Sequence, residues 1–226
     1  FYDTDDDYDY LVMVDGNTWT NLTITGHSAQ SWSDNPTGAA RPTLETCDRI
    51  YSIYANWAYN AAGAPNTVTF NNLNCKSGQT DVVAMIYWAG ASHCNMSVVF
   101  SNCTVTNSID GSGKLFESDG QSTTALTFTA TDSSFIQPTD IGNLSFADWS
   151  TITLTRCTVS SPLSTGAVAA TVLKYDCSAT TTHPKMMLTD CTVSGSNLVV
   201  WGNATTGRSG AGLILSGGTY SANFSG

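Results

Sequence analysis

Basic residues are scarce in this sequence. Eight Lys and Arg stand against eighteen Asp and Glu in 226 residues, giving a formal net charge of −10. A nucleic-acid surface needs clustered positive charge, so that partner class is excluded. Charged residues make up only 12% of the chain while 41% are apolar and patterned, which excludes a disordered polymer. No apolar run approaches the roughly 18 residues of a membrane-spanning helix, so no membrane insertion is expected. The seven cysteines include no Cys-x-x-Cys pair, so structural zinc is not expected. The acidic start (Asp3, Asp5, Asp6, Asp7, Asp9) has Tyr8 where a calcium-binding EF-hand loop requires Gly. It reads as a solvated acidic end, and no metal or other cofactor is implied. No secretory signal is visible and the first residue is Phe1, so the chain is expected to be a trimmed product or a fragment of a longer one.

What the sequence does contain is a repeated phrase. Residues 98–105, Val-Val-Phe-Ser-Asn-Cys-Thr-Val, are apolar at positions one, three and eight, Asn at five and small at six. The pattern recurs at Leu22–Ala29, Val68–Cys75, Phe128–Phe135, Ile152–Val159, Met186–Val193 and Leu213–Tyr220. The alternation is that of a strand, and it slips by one at position five. There the residues are Gly26, Asn72, Asn102, Asp132, Arg156, Asp190 and Gly217. Gly, Asn and Asp are the types that tolerate a left-handed backbone. Each phrase is therefore expected to be strand, one left-handed residue, strand, with positions one, three, six and eight facing one interior. Arg156 breaks the rule and should carry strain or a special contact.

The phrases start 46, 30, 30, 24, 34 and 27 residues apart, the period of a solenoid whose units bury their apolar faces by stacking. A further apolar segment precedes each phrase: Tyr10–Val14, Tyr51–Ala55, Ala84–Trp88, Lys114–Ser118, Leu144–Asp148, Val172–Asp176 and Leu198–Gly202. On these features the chain resembles the right-handed parallel β-helix proteins, the pectate-lyase-like solenoid superfamily, in its adhesin and surface-protein form. The resemblance implies an all-β fold, a single domain over 1–226. The expected fold is a right-handed parallel β-helix of about seven coils with three strands per coil, roughly 35 Å long at the inter-strand spacing.

The first interval is long, and residues 28–47, rich in Ser, Asn, Pro and Gly, are expected to be a loop insertion. A helix from Pro42 to about Ala62 competes with a strand at 51–55. The strand is preferred because Asp48…Ile53-Tyr54 matches Asp81…Ile86-Tyr87. Loops of unequal length follow at 89–97, 119–127, 177–185 and 202–212, where recognition usually sits. The last phrase ends just before Gly226 with no polar capping coil, and an uncapped end exposes unpaired backbone groups. Either truncation or end-to-end stacking of another chain into a fibre accounts for such an end, and self-association or association with other surface proteins is the expected partnership.

Among the cysteines, Cys103, Cys157 and Cys191 share position six and are expected to form a buried thiol stack. A disulfide-stapled wall drawing on Cys47, Cys94 or Cys177 is the alternative.

The hydrolase signatures of the pectin-cleaving relatives are missing: there is no Asn-Thr-Asp, Gly-His-Gly or Arg-Ile-Lys. The best acid–base grouping is Glu117, Asp148, Lys174 and Asp176 on first strands. Such residues are more often strand-end turns and solvated surface, and no motif raises the enzyme reading above that, so the sequence points away from an enzyme and no catalytic residue is assigned. His27, His93 and His183 are scattered, and His27 falls at the inward position six. Asp132, Arg156 and Asp190 share the bend on successive units, where an ion pair can steady the odd Arg.

Trp57, Trp88, Trp149 and Trp201 lie at or just past the ends of first strands, with Phe116 and Tyr175 on the same strands. An exposed aromatic row there is a platform for sugar rings, and core packing is the competing reading. Asn-X-Ser/Thr sequons at Asn21, Asn95, Asn143, Asn203 and Asn223 are expected to carry glycans. The sixth, Asn102, is also a bend residue. Ser and Thr number 59, and Thr25, Ser101, Thr131, Thr155, Thr189 and Ser216 form an outward column interrupted by Asn71. Thr arrays occur in some ice-binding solenoids, but the unequal intervals argue against that role here. The sequence thus points to an extracellular or cell-surface structural and adhesive solenoid, glycosylated and able to build a filament or surface layer. Carbohydrate binding or polysaccharide cleavage is the alternative.

Overall fold

The computed structural model describes residues 10–15, 21–25, 43–46, 49–54, 66–77, 84–89, 96–107, 114–119, 126–137, 144–146, 150–161, 171–175, 185–199 and 212–225. Every regular element among them is a strand. In chain order these are β1 (Tyr10–Asp15), β2 (Asn21–Thr25), β3 (Thr43–Thr46), β4 (Arg49–Tyr54), β5 (Asn66–Asn71), β6 (Asn74–Ser77), β7 (Ala84–Ala89), β8 (Met96–Ser101), β9 (Thr104–Asn107) and β10 (Lys114–Asp119). They continue as β11 (Leu126–Thr131), β12 (Ser134–Ile136), β13 (Leu144–Phe146), β14 (Ser150–Thr155), β15 (Thr158–Ser160), β16 (Thr171–Tyr175), β17 (Lys185–Thr189), β18 (Thr192–Val199), β19 (Gly212–Ser216) and β20 (Thr219–Ser225).

The strands form two sheets, both parallel. The seven-stranded sheet runs β2-β5-β8-β11-β14-β17-β19 and collects positions one to four of every phrase. The thirteen-stranded sheet holds two ladders, β1-β4-β7-β10-β13-β16 and β3-β6-β9-β12-β15, which meet at β18. Pairing in the seven-stranded sheet keeps one register throughout, so equivalent positions line up: Val68, Val98, Phe128, Ile152, Met186 and Leu213 share one row.

The corner between the sheets is where position five acts. Asn72, Asn102, Asp132, Arg156 and Asp190 have φ between 50° and 56°, and Gly217 has 66°. One left-handed residue turns the chain while keeping the ladder bonded. From Asn72 to Asp190 the bend N–H donates forward, as Asn102 N to Thr131 O (3.1 Å), and from Thr104 to Thr219 the position-seven N–H donates back, as Thr104 N to Leu73 O (2.9 Å). A corner made this way leaves no orphan donor at these two positions, which a buried backbone requires.

The interior is apolar. Positions one, three, six and eight bury Val98, Phe100, Cys103 and Val105 in one phrase and Ile152, Leu154, Cys157 and Val159 in another. Six phenylalanines (Phe70, Phe100, Phe116, Phe128, Phe135, Phe146) are fully buried. Phe128 packs against four of them, with centroids 4.7 Å from Phe116, 4.9 Å from Phe146, 5.6 Å from Phe100 and 6.0 Å from Phe135. Each such side chain taken from water contributes about 1.5–3 kcal/mol.

Four details differ from the sequence expectation. In the first phrase Leu44 of β3, not Ala29, pairs with Cys75; β3 thus falls inside the stretch expected as an insertion. Ladder position is set by alternation within the strand, and Leu44 between Thr43 and Glu45 supplies it wherever the chain returns. The segment Arg49–Tyr54 is the preferred strand, but Tyr51, not Ile53, pairs with Ile86. Phe116 lies in the core, not on an exposed aromatic row. Finally, β18 runs unbroken from the β3-to-β15 ladder into the β1-to-β16 ladder, with the register shifting between Ser194 and Asn197. Gly195 makes this possible, because a Cβ there would stand 2.7 Å from Cβ of Val172.

Candidate functional site

The outward side of the seven-stranded sheet carries the most regular surface among the described residues. Side chains alternate across a strand, so burial of positions one and three turns the intervening residues outward. One row reads Thr23, Thr69, Val99, Thr129, Thr153, Met187 and Ile214; the next reads Thr25, Asn71, Ser101, Thr131, Thr155, Thr189 and Ser216. Thr67, Ser97, Thr127 and Thr151 belong to a third. These residues are half-buried or exposed. Parallel sheets are usually covered on both faces by apolar residues; this one presents hydroxyls and methyls. Adjacent rungs lie about 4.8 Å apart and i, i+2 neighbours about 6.6 Å apart. Such a grid donates and accepts hydrogen bonds over a long stretch with little net charge.

Beside this face, the bend column holds an ion pair. Arg156 Nε donates to Asp132 Oδ1 at 2.7 Å and Nη2 to Oδ2 at 2.8 Å. The Arg that departs from the Asn/Asp/Gly rule therefore has its contact, a two-pronged one with the bend residue one strand away. That hydrogen bond, ahead of the charge itself, holds the Asp132 carboxyl below its ordinary range. Asp190 instead leans over Gly217, where a Cβ would collide with its carboxylate. So the three residues share a column, and the pairing joins two of them.

Arg156→Asn removes the ion pair but installs a residue suited to a left-handed backbone. These effects oppose, and the melting midpoint at neutral pH is expected to stay within ~2 °C of native. Asp132 has a depressed folded pKa, so its contribution is present above the unfolded value of ~3.9 and is lost as pH falls through the folded value. Thermal melts at pH 7 and pH 2 should therefore show the native chain losing ground relative to Arg156→Asn in acid. A difference independent of pH would remove the pair from the account.

Behind the corner lies the thiol column. Cys103, Cys157 and Cys191 are buried and unbridged, as is Cys75, whereas Cys47, Cys94 and Cys177 lie outside the described residues. The thiols hydrogen-bond to backbone carbonyls, Cys103 Sγ to Ser101 O at 3.3 Å and Cys191 Sγ to Thr189 O at 3.3 Å. Ser133 fills the same column between Cys103 and Cys157; its Oγ accepts from Cys103 N at 3.0 Å and donates to Thr131 O at 2.9 Å. Its hydrogen bond with Cys191, and then burial, push the Cys157 thiol far above the ordinary range. Burial likewise raises Cys75. These groups are interior packing, and Ser133, a polar residue at a core position, was the member sequence reasoning passed over.

The remaining site residues divide by ladder. Glu117 and Lys174 occupy one row of the thirteen-stranded sheet with Ser145 between them, so their Cα atoms are two rungs, about 9.6 Å, apart. Asp148 and Asp176 lie outside the described residues. Trp88 stands on β7 with Ile53 and Ser118 as ladder neighbours; Trp57, Trp149 and Trp201 lie outside the described residues. Asn21 opens β2 opposite Thr67, and Asn223 sits in β20 opposite Asn197. Asn102 is the half-buried bend residue with φ 54°. Asn95, Asn143 and Asn203, with all three histidines, lie outside the described residues. Among the described residues no group of three or more His, Cys, Asp or Glu is placed to hold a metal ion. No protein-family model matches this chain, and neither a curated protein nor a solved structure matches it.

Proposed function

We propose that this chain is an extracellular or cell-surface structural and adhesive protein. Its architecture is a right-handed parallel β-helix of about seven coils with three strands each, of the pectate-lyase-like kind. The single observation behind the adhesive role is the in-register hydroxyl face of the seven-stranded sheet. A rigid grid of Thr and Ser matches an extended polymer better than a small molecule, which needs a concave pocket. The net charge of −10 repels acidic polymers, so the favoured ligand is a neutral glycan surface. N-glycans on Asn21, Asn95, Asn143, Asn203 and Asn223 complete this reading.

Adsorption to cellulose and chitin particles tests it. The native chain is expected to be retained, and Thr129→Lys/Thr153→Lys, adjacent on the face, to bind about tenfold more weakly, equivalent to 1.4 kcal/mol. Both positions are outward and half-buried, so the melting curve should be kept. Equal adsorption by native and variant chains sinks the face as the site. The second reading, polysaccharide cleavage, rests on the shared row of Glu117 and Lys174. Release of reducing ends from uronate polymers would favour it over adhesion.

A further inference from the structure

Position six, just inside the corner, is stacked rung on rung. Ser134 N donates to Cys103 O at 2.8 Å, Thr158 N to Ser133 O at 2.9 Å and Thr192 N to Cys157 O at 2.8 Å. The column therefore reads Cys103, Ser133, Cys157, Cys191. Ser133 separates Cys103 from Cys157 by two rungs, about 9.6 Å, beyond the roughly 7 Å that a disulfide spans between Cα atoms. Cys75 stands in another row, at position eight, between Leu44 and Val105. Cys157 and Cys191 alone occupy adjacent rungs of this column. Their Cα atoms are about 4.8 Å apart, inside the ~4.4–6.8 Å window for a bridge. Their side chains point the same way, since each thiol donates to the carbonyl two residues before it, Thr155 O and Thr189 O, at 3.3 Å. Cys191 Sγ also reaches Leu154 O at 3.4 Å, a carbonyl in the phrase of Cys157. It leans toward its neighbour, and the two sulfurs share a hydrogen bond.

We infer that Cys157 and Cys191 are a modification site, joined across the two rungs by a disulfide when the chain meets a low-molecular-weight disulfide oxidant. Cys157 donates the shared hydrogen bond, and that bond holds the Cys191 thiol below its ordinary range, so Cys191 is the attacking thiolate. Its sulfur bonds to one sulfur of the oxidant, the oxidant's S–S bond breaks, and the departing thiolate takes up the Cys191 proton. Cys157 then attacks the Cys191 sulfur of this mixed disulfide and gives its proton to the second departing thiolate. The chain loses two electrons and two protons, and the oxidant becomes two thiols. Both side chains are at most 1% exposed. The exchange therefore belongs to the nearly folded chain, with the rungs aligned and the oxidant still able to enter. The bridge does not depend on the adhesive role.

The test is refolding of the full chain with oxidised and reduced glutathione, alkylation of the remaining thiols, and peptide mapping. Tryptic cleavage after Arg156, Lys174, Lys185 and Arg208 puts Cys157, Cys177 and Cys191 on separate peptides. Peptides 157–174 and 186–208 are expected to be joined in the larger part of the chains and to separate on reduction. Cys157→Ser should abolish the joined pair and leave Cys191 alkylated. Alkylation of both Cys157 and Cys191 in the native chain overturns the inference, as does either of them linked to any other cysteine. Should Cys157→Ser fail to fold, the native map decides alone.

Discussion

Phe128→Ala is expected to cost about 3–5 kcal/mol, the range for truncating a buried ring. For a chain of this size that corresponds to a melting midpoint lower by roughly 6–20 °C. The upper part of the range applies because the cavity would open at the meeting point of four other rings, at 4.7–6.0 Å. Those rings belong to both sheets, so none can move in without dragging a ladder out of register. Denaturant melts of the native and variant chains check the size of the loss. A Phe128→Ala protein as stable as native would mean that the rings do not share one interior.

The second large effect is at the corner. Asn102→Val is expected to destabilise by about 1–2 kcal/mol, because a β-branched residue is forced to a φ of 54°. Asn102→Gly reaches the same backbone without a Cβ and should stay within ~1 kcal/mol of native. The pair is measured by melting on protein lacking N-glycans, since Asn102 also opens a sequon. Equal midpoints for the Val and Gly variants would remove the left-handed corner as the source.

Much of this arrangement is legible in the residues themselves. The corner positions announce themselves because Asn, Asp and Gly recur where alternation slips. Arg156 is found by register although its type is wrong, and the contact expected of it is the Asp132 pair. Other features are hidden for physical reasons. A strand shifted by two residues keeps every side chain on its face, so matching Ile53 to Ile86 looked as good as the observed Tyr51 pairing. Leu44 joins a ladder through long-range hydrogen bonds that nothing nearby in the chain signals. Phe116 on a first strand suits a core and a sugar platform equally until the opposing rings are placed. A Gly inside a strand ordinarily weakens it, yet Gly195 is the residue whose missing Cβ lets β18 continue past Val172.

The uninterrupted β18 has a consequence for how the fold comes apart. Elsewhere the described ladders are joined by intervening chain, so one level can loosen while its neighbour holds. Here a single eight-residue strand spans two ladders, bonded to β15 and β16 on one flank and to β20 on the other. Its amides must exchange with solvent as one block, and fraying that starts at β20 cannot stop halfway along it.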